Sequence, residues 1–401
     1  MIPSLRQRFN HNFTPEKYQK FTRHIDDVCG THVEFRLSET PCFLPKELID
    51  RMARDGEALI RQLVENPEYR SKSEEAVPAE FKVPNEAPHP MFVQVDFGLV
   101  RDKTGTLQPK LVELQAFPSL YAYQGPLAQA YIDVYELGSA SGSRLPASGR
   151  LKYLLSGLES DSYRELLRRA IVGSHDPENV ILMEIDPLHQ KTLADFLLTE
   201  KMLGVRAVDI TGIKKSGSRL YYEQNGKQVP IQRIYNRAIV DELERKNVKL
   251  AFDWRDDLQV EWAGHPNWYF RISKFSIPYL KHACVPKTWF LNQLSEVPQD
   301  LENYVLKPLY SFAGLGVVIG PTPEQVTAAD PAQFILQERI DFKPVVATPH
   351  GPTKAEIRVM YIWQESPEAV MLIVRMGRGK MMGVDQNRDL EWVGASAAFI
   401  V

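Results

Sequence analysis

Residues 304–320 read YVLKPLYSFAGLGVVIG, an apolar strand-like run that ends near a lysine and is followed by a glycine-containing loop. In the commonest phosphate-binding loop, the lysine follows the glycines and precedes a serine or threonine. Here Lys307 comes before Gly314 and Gly316. The order therefore favours a strand, a loop and a second strand. Two interpretations stay open: a phosphate-binding flap with Lys307 at its base, or a hairpin preceded by a surface lysine.

The composition of the chain is that of an ordinary globular protein. Its 401 residues are 44% hydrophobic and 25% charged, enough for two or three domains with cores. The net charge of −3 argues against a nucleic-acid partner, and no apolar run is long enough to predict a membrane span. The three cysteines form no CxxC pair, so we expect reduced thiols and no zinc cluster. With no signal-peptide pattern, the sequence predicts a cytoplasmic protein.

Hydrophobic periodicity predicts a mixed α/β architecture. The N-terminal part predicts a helix from Thr14-Pro15, a helix over 45–66, a loop over 67–90 and a hairpin of strands 92–100 and 110–115. The middle part predicts a helix over 151–170 and strands at 179–186, 205–210 and 231–239, typical of a parallel α/β layer. The last part is rich in strands. We place the domain boundaries at 1–148, 149–285 and 286–401.

The predicted hairpin carries a polar face. Asp96, Glu113 and Gln115 lie at like-facing positions of two antiparallel strands, because side chains alternate between the two faces of a strand. Two carboxylates and an amide are oxygen ligands of the kind Mg²⁺ prefers. The alternative is a solvated polar face without a metal ion.

Three further places offer ligand contacts. The strand FILQERI (334–340) ends in Glu338, where a carboxylate and free backbone groups near Gln337 and Ile340 would suit a ribose and an adenine edge. A solvated strand end is the alternative. Asn236 and Arg237 follow a strand of the parallel layer, where ligands commonly bind, and an arginine there suits a carboxylate substrate. Ser119 either contacts substrate or shapes a turn.

Together, the segments VDFGLVRDKTGTLQPKLVELQAFPS, ISKFSIP, YVLKPLYSFAGLG and ILQERI resemble the metal and nucleotide motifs of ATP-grasp ligases. Their order resembles the circularly permuted branch, which contains eukaryotic-type glutathione synthetase and glutathionylspermidine synthetase. In that branch the metal-binding hairpin comes early, a substrate-side α/β domain follows, and the glycine-rich loop comes late. The resemblance implies a circularly permuted ATP-grasp fold with an inserted parallel α/β domain.

The resemblance also implies roles for single residues. Asp96, Glu113 and Gln115 would hold Mg²⁺, with Gln115 standing where the family usually has Asn. Gln94 stands where the family has an arginine near the transferred phosphate. Ser311 stands where glutathione synthetases have a metal-binding glutamate. The residues implied to contact ATP are Lys274, Lys307, Ser311, Gly314, Gly316, Gln337, Glu338 and Ile340.

The implied activity is ATP- and Mg²⁺-dependent ligation of a small carboxylate to an amine through an acyl-phosphate. Lys307 and Arg375 would act catalytically, and Arg375, Ser119, Asn236 and Arg237 would bind substrate. The partners would be a small-molecule carboxylate and amine, with a homodimer possible. Because Gln94, Gln115 and Ser311 depart from the family pattern, a degenerate protein that binds nucleotide without ligating is the main alternative. An α/β protein unrelated to ATP is the third.

Overall fold

The computed structural model describes residues 2–137, 151–311, 314–384, 387 and 389–401, with the backbone alone at position 241. The helices are α1 (Pro3–Asn12), α2 (Pro15–Cys29), α3 (Lys46–Val64), α4 (Pro67–Lys72), α5 (Gln124–Tyr135), α6 (Ser160–Ile171), α7 (Leu193–Leu203), α8 (Val240–Arg245), α9 (Asn267–Arg271) and α10 (Pro323–Ala328). The strands of the N-terminal and middle parts are β1 (Cys42–Leu44), β2 (Phe92–Arg101), β3 (Leu107–Gln115), β4 (Val180–Glu184), β5 (Arg206–Asp209), β6 (Lys214–Ser216), β7 (Arg219–Gln224), β8 (Lys227–Ile231), β9 (Arg233–Asn236) and β10 (Glu261–Ala263). The later strands are β11 (Thr288–Phe290), β12 (Tyr304–Pro308), β13 (Val318–Ile319), β14 (Phe334–Glu338), β15 (Pro344–Val346), β16 (Thr353–Trp363), β17 (Pro367–Gly377) and β18 (Gly394–Ile400). Within these described ranges, every helix is too short or too polar to span a bilayer.

The largest sheet has seven strands and contains the predicted hairpin. Its order is β1-β18-β17-β16-β2-β3, with β15 paired to β16 at one side. β2 and β3 pair antiparallel, and β16 joins the far edge of β2. The sheet therefore combines strands from the first and the last of the three predicted domains.

The two faces of this main sheet are covered by different helices. On one face, Val95 and Val359 pack against apolar residues of α3, including Met52 and Leu59. On the other, Phe92, Met360 and Ile373 are in contact with α6. Burial of these side chains is the principal stabilising contribution to such a layered fold.

The middle of the chain forms the expected parallel layer. Its sheet has the order β10-β9-β4-β5, and all three pairings are parallel. α7 connects β4 to β5, as the βαβ pattern predicts. The strand predicted over 231–239 is confirmed for Arg233–Asn236, but its predicted bounds were wrong. β8 ends at Ile231 in a separate antiparallel sheet with β6 and β7, and Gln232 donates its N–H to the Asn179 carbonyl between the two ladders.

A third sheet carries the segment 304–320. Its order is β11-β14-β12-β13, with antiparallel pairings throughout. β12 and β13 are joined by the glycine-containing loop, so the strand–loop–strand prediction is confirmed for its strands. Residues 312–313 of the predicted flap 309–317 lie outside the described residues.

Two local predictions were wrong because capping residues were overlooked. Within the predicted loop 67–90, α4 begins at Pro67 since the Asn66 side chain accepts from the N–H groups of Glu68 and Tyr69. The helix predicted over 151–170 begins only at Ser160. Such caps satisfy N–H groups that have no partner within the helix.

Candidate active site

The candidate site lies on the same face of the main sheet that packs against α6. Phe92, Met360 and Ile373 form the apolar part of this face. Gln94, Arg358 and Arg375 are each two residues from one of these apolar residues on the same strand. They therefore share its face, because alternate residues of a strand point to the same side. The face therefore changes from apolar to polar where α6 ends.

Part of this polar face is saturated by internal contacts. Arg358 binds Asp96 through two hydrogen bonds, Nε to Oδ1 at 2.5 Å and Nη2 to Oδ2 at 2.7 Å. Its Nη1 donates to Gln94 Oε1 at 2.9 Å. With the Gln115 amide oxygen facing the guanidinium, that oxygen accepts from Nη2 at 2.5 Å. We call Gln94, Asp96, Gln115 and Arg358 the closed cluster.

Arg375 links the closed cluster to a neighbouring cavity. Its Nη2 contacts Asp96 Oδ2 and lies 2.8 Å from Glu356 Oε1. Burial alone would lower the pKa of Arg375, but Glu356, Asp96 and Glu113 raise it above its ordinary value. Arg375 is therefore a permanent cation whose Nη2 is shared between Asp96 of the closed cluster and Glu356 at the cavity wall.

The cavity has a volume of about 350 Å³ and lies between the polar face and the third sheet. This is within the size range of small-molecule sites. It brings together eight of the residues predicted from the sequence: Glu113, Lys274, Lys307, Gly314, Gln337, Glu338, Ile340 and Arg375. We call Glu113, Lys274, Lys307 and Glu356 the open cluster, since all four line the cavity.

Two lysines of the open cluster are buried. Lys307 donates to Gln337 Oε1 at 2.6 Å and to the Val112 carbonyl at 3.0 Å. The Val112 carbonyl is available to Lys307 because the β2–β3 pairing shifts register at Val112. Lys274 lies 3.2 Å from Glu113 Oε2 and donates to the Ser311 carbonyl at 2.6 Å. Lysines are rarely buried without such partners.

The pKa values in the open cluster reflect burial and mutual charge. Burial would raise the pKa of Glu113, but Lys274, Lys307, Arg358 and Arg375 lower it to about 2. Burial lowers the pKa of Lys307 to about 8, with Glu113 acting in the opposite direction. Glu113 is therefore ionised at neutral pH, and Lys307 loses its proton more readily than an exposed lysine.

Glu356 and Arg358 were missed by the sequence analysis. Burial raises the pKa of Glu356 to about 6, opposed by Arg375 and reinforced by Asp96 and Glu113. The available signal was the alternation of two charges inside the apolar strand AEIRVMYIW. Charged residues on the inward face of a long apolar strand need partners, which is a reason to look for a polar face there.

The loop after β12 contains two glycines in the left-handed backbone region. Gly314 and Gly316 have φ values of 74° and 73°, a region that side-chain-bearing residues rarely adopt. A Cβ at Gly316 would lie 2.8 Å from Pro308 Cγ. Gly314 lines the cavity, whereas Gly316 does not. The Ser311 hydroxyl is buried without a hydrogen-bond partner among the described residues.

Gln337, Glu338 and Ile340 lie along the cavity wall at the end of β14. Gln337 Nε2 is buried without a hydrogen-bond partner among the described residues, so it can still donate to a ligand. The Glu338 side chain is 41% exposed and lies 3.8 Å from Lys287 Nζ. An exposed acid of this kind keeps its freedom to turn toward a ligand.

Three of the predicted substrate residues, Ser119, Asn236 and Arg237, do not line the cavity. Arg237 is buried, stands over the Phe117 ring at 4.9 Å, and leaves Nε and Nη1 without hydrogen-bond partners among the described residues. Asn236 uses its side-chain oxygen to accept from the Ala238 N–H. Ser119 offers its carbonyl to Gln94 Nε2 at 2.7 Å. Of these residues, Ser119 contacts the closed cluster, whereas Arg237 packs between Phe117 and Phe196.

The Mg²⁺ ligands implied by the sequence are thus divided. Asp96 and Gln115 direct their oxygens at Arg358, and only Glu113 of the three lines the cavity. Glu356 supplies a second cavity carboxylate. Mg²⁺ commonly takes one or two carboxylates together with substrate phosphates. Glu113 and Glu356 fit that requirement. Of the predicted set Asp96, Glu113 and Gln115, two members, Asp96 and Gln115, already have their oxygens bound to Arg358.

Comparison with known proteins finds a match in structure but none in sequence. No family model and no curated protein matches the chain. Among solved structures, a glutathione synthetase-like effector from Globodera pallida in its apo form matches with a TM-score of 0.57 and 12% identity, over 97% of this chain and 99% of that one. At this identity the likeness concerns the fold. The chain has a glutathione synthetase-like fold along nearly its whole length.

Proposed function

We propose that the chain is an ATP- and Mg²⁺-dependent carboxylate–amine ligase with a circularly permuted ATP-grasp fold. The observation that carries the proposal is the meeting of Lys274, Lys307 and Arg375 with the carboxylates of Glu113 and Glu356 around one cavity of about 350 Å³. Three cations around one cavity suit a polyphosphate. The glutathione synthetase-like fold supports the same class, although function resides in the site rather than in the fold.

In this proposal the third sheet and the main sheet hold ATP between them. Lys274 and Lys307 neutralise phosphate charge, and the end of β14 receives the adenosine. The buried Gln337 Nε2 donates to the nucleotide. The loop that contains Gly314 and Gly316 closes over the phosphates and excludes water, as lids of this kind do in other enzymes.

Glu113 and Glu356 would hold Mg²⁺ together with the phosphates. Bound there, Mg²⁺ supplies charge neutralisation at the phosphoryl group that is transferred. Arg375 lies beside Glu356 and is placed to orient the attacking carboxylate of the substrate. The chain's contribution is thus positioning and electrostatics, with no covalent enzyme intermediate.

The substrate carboxylate attacks the γ-phosphate and gives an acyl-phosphate and ADP. An amine then displaces phosphate and forms the new C–N bond. Arg237 is our candidate for a second carboxylate contact, since its Nε and Nη1 are buried without hydrogen-bond partners among the described residues. Phe117 and Phe196 face its guanidinium at 4.9 and 5.5 Å and would fix its orientation.

Phosphate release tests the proposal. Wild-type protein is incubated with ATP, Mg²⁺ and pairs of amino acids and polyamines, and ADP and phosphate are measured. We expect phosphate release that needs both substrates and is lost in Lys307→Met. The exposed Lys214→Met, on β6 of the separate antiparallel sheet, is the matched control and should keep wild-type turnover. Wild-type turnover in Lys307→Met would overturn the assignment.

The second candidate is a protein that binds nucleotide without ligating. The contacts that favour it are those of Arg358 with Asp96 and Gln115, together with serine at position 311. Binding of ATP without phosphate release on any substrate pair would support it.

We also propose a cytoplasmic location. Cys29, Cys42 and Cys284 are all buried and none forms a disulfide, which suits a reducing compartment.

A further inference from the structure

We propose that Arg358 is a built-in cation which takes the place of a metal ion in the closed cluster. The proposal rests on the proposed function for the meaning of the site, but its geometry is independent of nucleotide. Arg358 stands at the centre of the polar side chains that the sequence predicts as metal ligands.

The oxygens around the Arg358 guanidinium form a ligand shell of the kind that would otherwise coordinate a divalent cation. Both Asp96 oxygens lie at 2.5 and 2.7 Å, Gln94 Oε1 at 2.9 Å, and the Gln115 oxygen at 2.5 Å. Glu113 Oε1 lies 3.9 Å from Nη2. The planar fork of an arginine matches the Asp96 carboxylate in two parallel contacts, which a lysine could not reproduce.

The charges leave no need for a further cation in the closed cluster. Asp96 is 1% exposed, and a buried carboxylate requires a partner of opposite charge. Arg358 and Arg375 both supply one. Because an arginine stays protonated throughout the accessible pH range, this neutralisation cannot be lost by chelation or by titration.

The consequence is a limit on metal binding. A divalent ion at Asp96 and Gln115 would have to displace the guanidinium and would meet the repulsion of Arg375. Of the two clusters, only the open one can therefore take up a metal ion, and there Glu113 and Glu356 need the phosphates of a nucleotide to complete the ligand set. Neither cluster of the wild-type chain should bind a divalent ion tightly in the absence of nucleotide.

Removal of Arg358 tests the proposal directly. Mn²⁺ binding is measured without nucleotide by electron paramagnetic resonance for wild type, Arg358→Ala and Arg358→Gln, with folding followed by circular dichroism. We expect at least tenfold tighter Mn²⁺ binding in Arg358→Ala than in wild type. The double variant Arg358→Ala/Asp96→Asn should lose that gain, since the new site uses the Asp96 carboxylate.

Arg358→Gln keeps an amide donor toward Asp96 and carries the test if the alanine variant does not fold. A chain that keeps Arg358 also decides, independently of any Arg358 variant. Micromolar Mn²⁺ binding without nucleotide that persists in Cys284→Ser, which removes the thiol of the separate Asp55, His282 and Cys284 group, would overturn the proposal, as would a folded Arg358 variant whose Mn²⁺ affinity is unchanged. Neither result depends on ATP binding, so a failure of the proposed function remains distinguishable.

A separate cluster carries a second inference: we infer a zinc-type metal site at Asp55, His282 and Cys284. One ligand atom from each lies within 4.8 Å of the others. His282 Nδ1 is 3.0 Å from Cys284 Sγ, and His282 Nε2 is 3.9 Å from Asp55 Oδ1. Asp55 Oδ2 is buried without a hydrogen-bond partner among the described residues, with Arg51 Nε 3.7 Å away.

The loop that carries the histidine and cysteine is held firmly in place. Gln62 of α3 both donates to and accepts from the backbone of Lys281. On the other side, Leu111 donates its N–H to the Cys284 carbonyl, and Lys110 Nζ donates to the Ala283 carbonyl. The three ligands are thus fixed by α3 and β3, so little ordering is required when a metal binds.

The donor set is chemically suited to Zn²⁺. Thiolate, imidazole and carboxylate are its usual ligands, and three protein ligands with a water in the fourth position form an open tetrahedral site. The His282 side chain is 29% exposed, which provides a path for the ion and a place for the water. Burial raises the pKa of Cys284 to about 12, so metal binding releases the thiol proton to solvent.

Cobalt spectroscopy tests this second site. Co²⁺ is titrated into the reduced full chain, and the charge-transfer absorption of a Co²⁺–thiolate bond is followed. We expect one Co²⁺ per chain, displaced by Zn²⁺, with the band lost in Cys284→Ser and kept in Cys29→Ser, another buried cysteine. Absence of a thiolate band in the folded wild-type chain would overturn the inference, whatever the variants do.

Discussion

The closed cluster lies on one face of the main sheet, and the open cluster lines the cavity between that face and the third sheet; their charges are arranged differently. In the closed cluster, both Asp96 oxygens and the oxygens of Gln94 and Gln115 receive donors from Arg358. In the open cluster, Glu113 and Lys307 line a cavity. Glu113 and Lys307 also have partners within the protein, but both side chains face space that a ligand can fill.

The difference teaches that residue type alone does not define a binding group. Asp96 and Glu113 occupy directly opposed positions of one hairpin, and both were predicted as metal ligands. The neighbour across β16 decides between them, because Arg358 pairs in register with Asp96. A carboxylate already bound by a guanidinium contributes to stability, and one that faces a cavity remains available to a ligand.

The largest expected effect comes from removing the central charge of the closed cluster. Asp96→Asn leaves the Arg358 and Arg375 guanidinium groups short of a buried partner, which typically costs about 3–5 kcal/mol. We expect a large decrease in the denaturant midpoint of unfolding. The matched control is Asp341→Asn, whose exposed side chain pairs with Lys343 and should change stability by less than about 0.5 kcal/mol. Equal losses of stability in both variants would contradict the claim that the ion pairs of the closed cluster stabilise the fold.

Lys307→Met tests the open cluster. The variant loses a cation that we expect to contact phosphate, and hydrogen bonds to charged groups contribute about 1.5–3 kcal/mol. The ATP affinity measured by calorimetry should therefore fall by roughly 10- to 150-fold. The control Lys214→Met, on β6 of the separate antiparallel sheet, should retain the wild-type affinity. A similar loss in both variants would indicate general electrostatic attraction rather than a specific contact.

The pH dependence of Lys307 gives opposite signs for binding and stability. Its folded-state pKa is lowered from 10.5 to about 8. Above pH 8 the neutral lysine binds phosphate less well, so the ATP affinity should fall as pH rises. Between pH 8 and 10.5 the unfolded chain binds more protons than the folded one, so the contribution of Lys307 to stability rises with pH. Titrations of affinity and of unfolding midpoint should show both trends, and both should vanish in Lys307→Met.

The smallest expected effect is at the end of β14. Glu338→Gln keeps the shape of the side chain but replaces a charged acceptor near the expected ribose. One hydrogen bond contributes about 0.5–1.5 kcal/mol, which predicts a two- to tenfold loss of ATP affinity. Stability should not change, since the side chain is 41% exposed. Unchanged affinity would remove Glu338 from the proposed site but leave the open cluster intact.

The sequence was informative where the pattern is local. Alternation located β2 and β3, and the βαβ pattern located the parallel layer around β4. The cap and proline of Thr14-Pro15 marked the start of α2 correctly. Each of these features depends on residues close together in the chain, so no knowledge of the tertiary fold was needed.

Whether a predicted metal ligand is already bound within the protein could not be predicted from such local patterns. Arg358 is 262 residues from Asp96 in the chain, and their contact exists only because β16 pairs with β2. The sequence predicted both segments as strands but gave no register between them. A shift of one residue in that pairing would have turned Arg358 to the opposite face. Glu356 was missed for the same reason.

Calorimetric titration of the wild-type chain with ATP in the presence of Mg²⁺ tests the central claim most directly. We expect one saturable site per chain, whose affinity is at least tenfold weaker in Lys307→Met and unchanged in Lys214→Met. A folded wild-type chain that shows neither heat of binding nor a thermal shift with ATP and Mg²⁺ would contradict it.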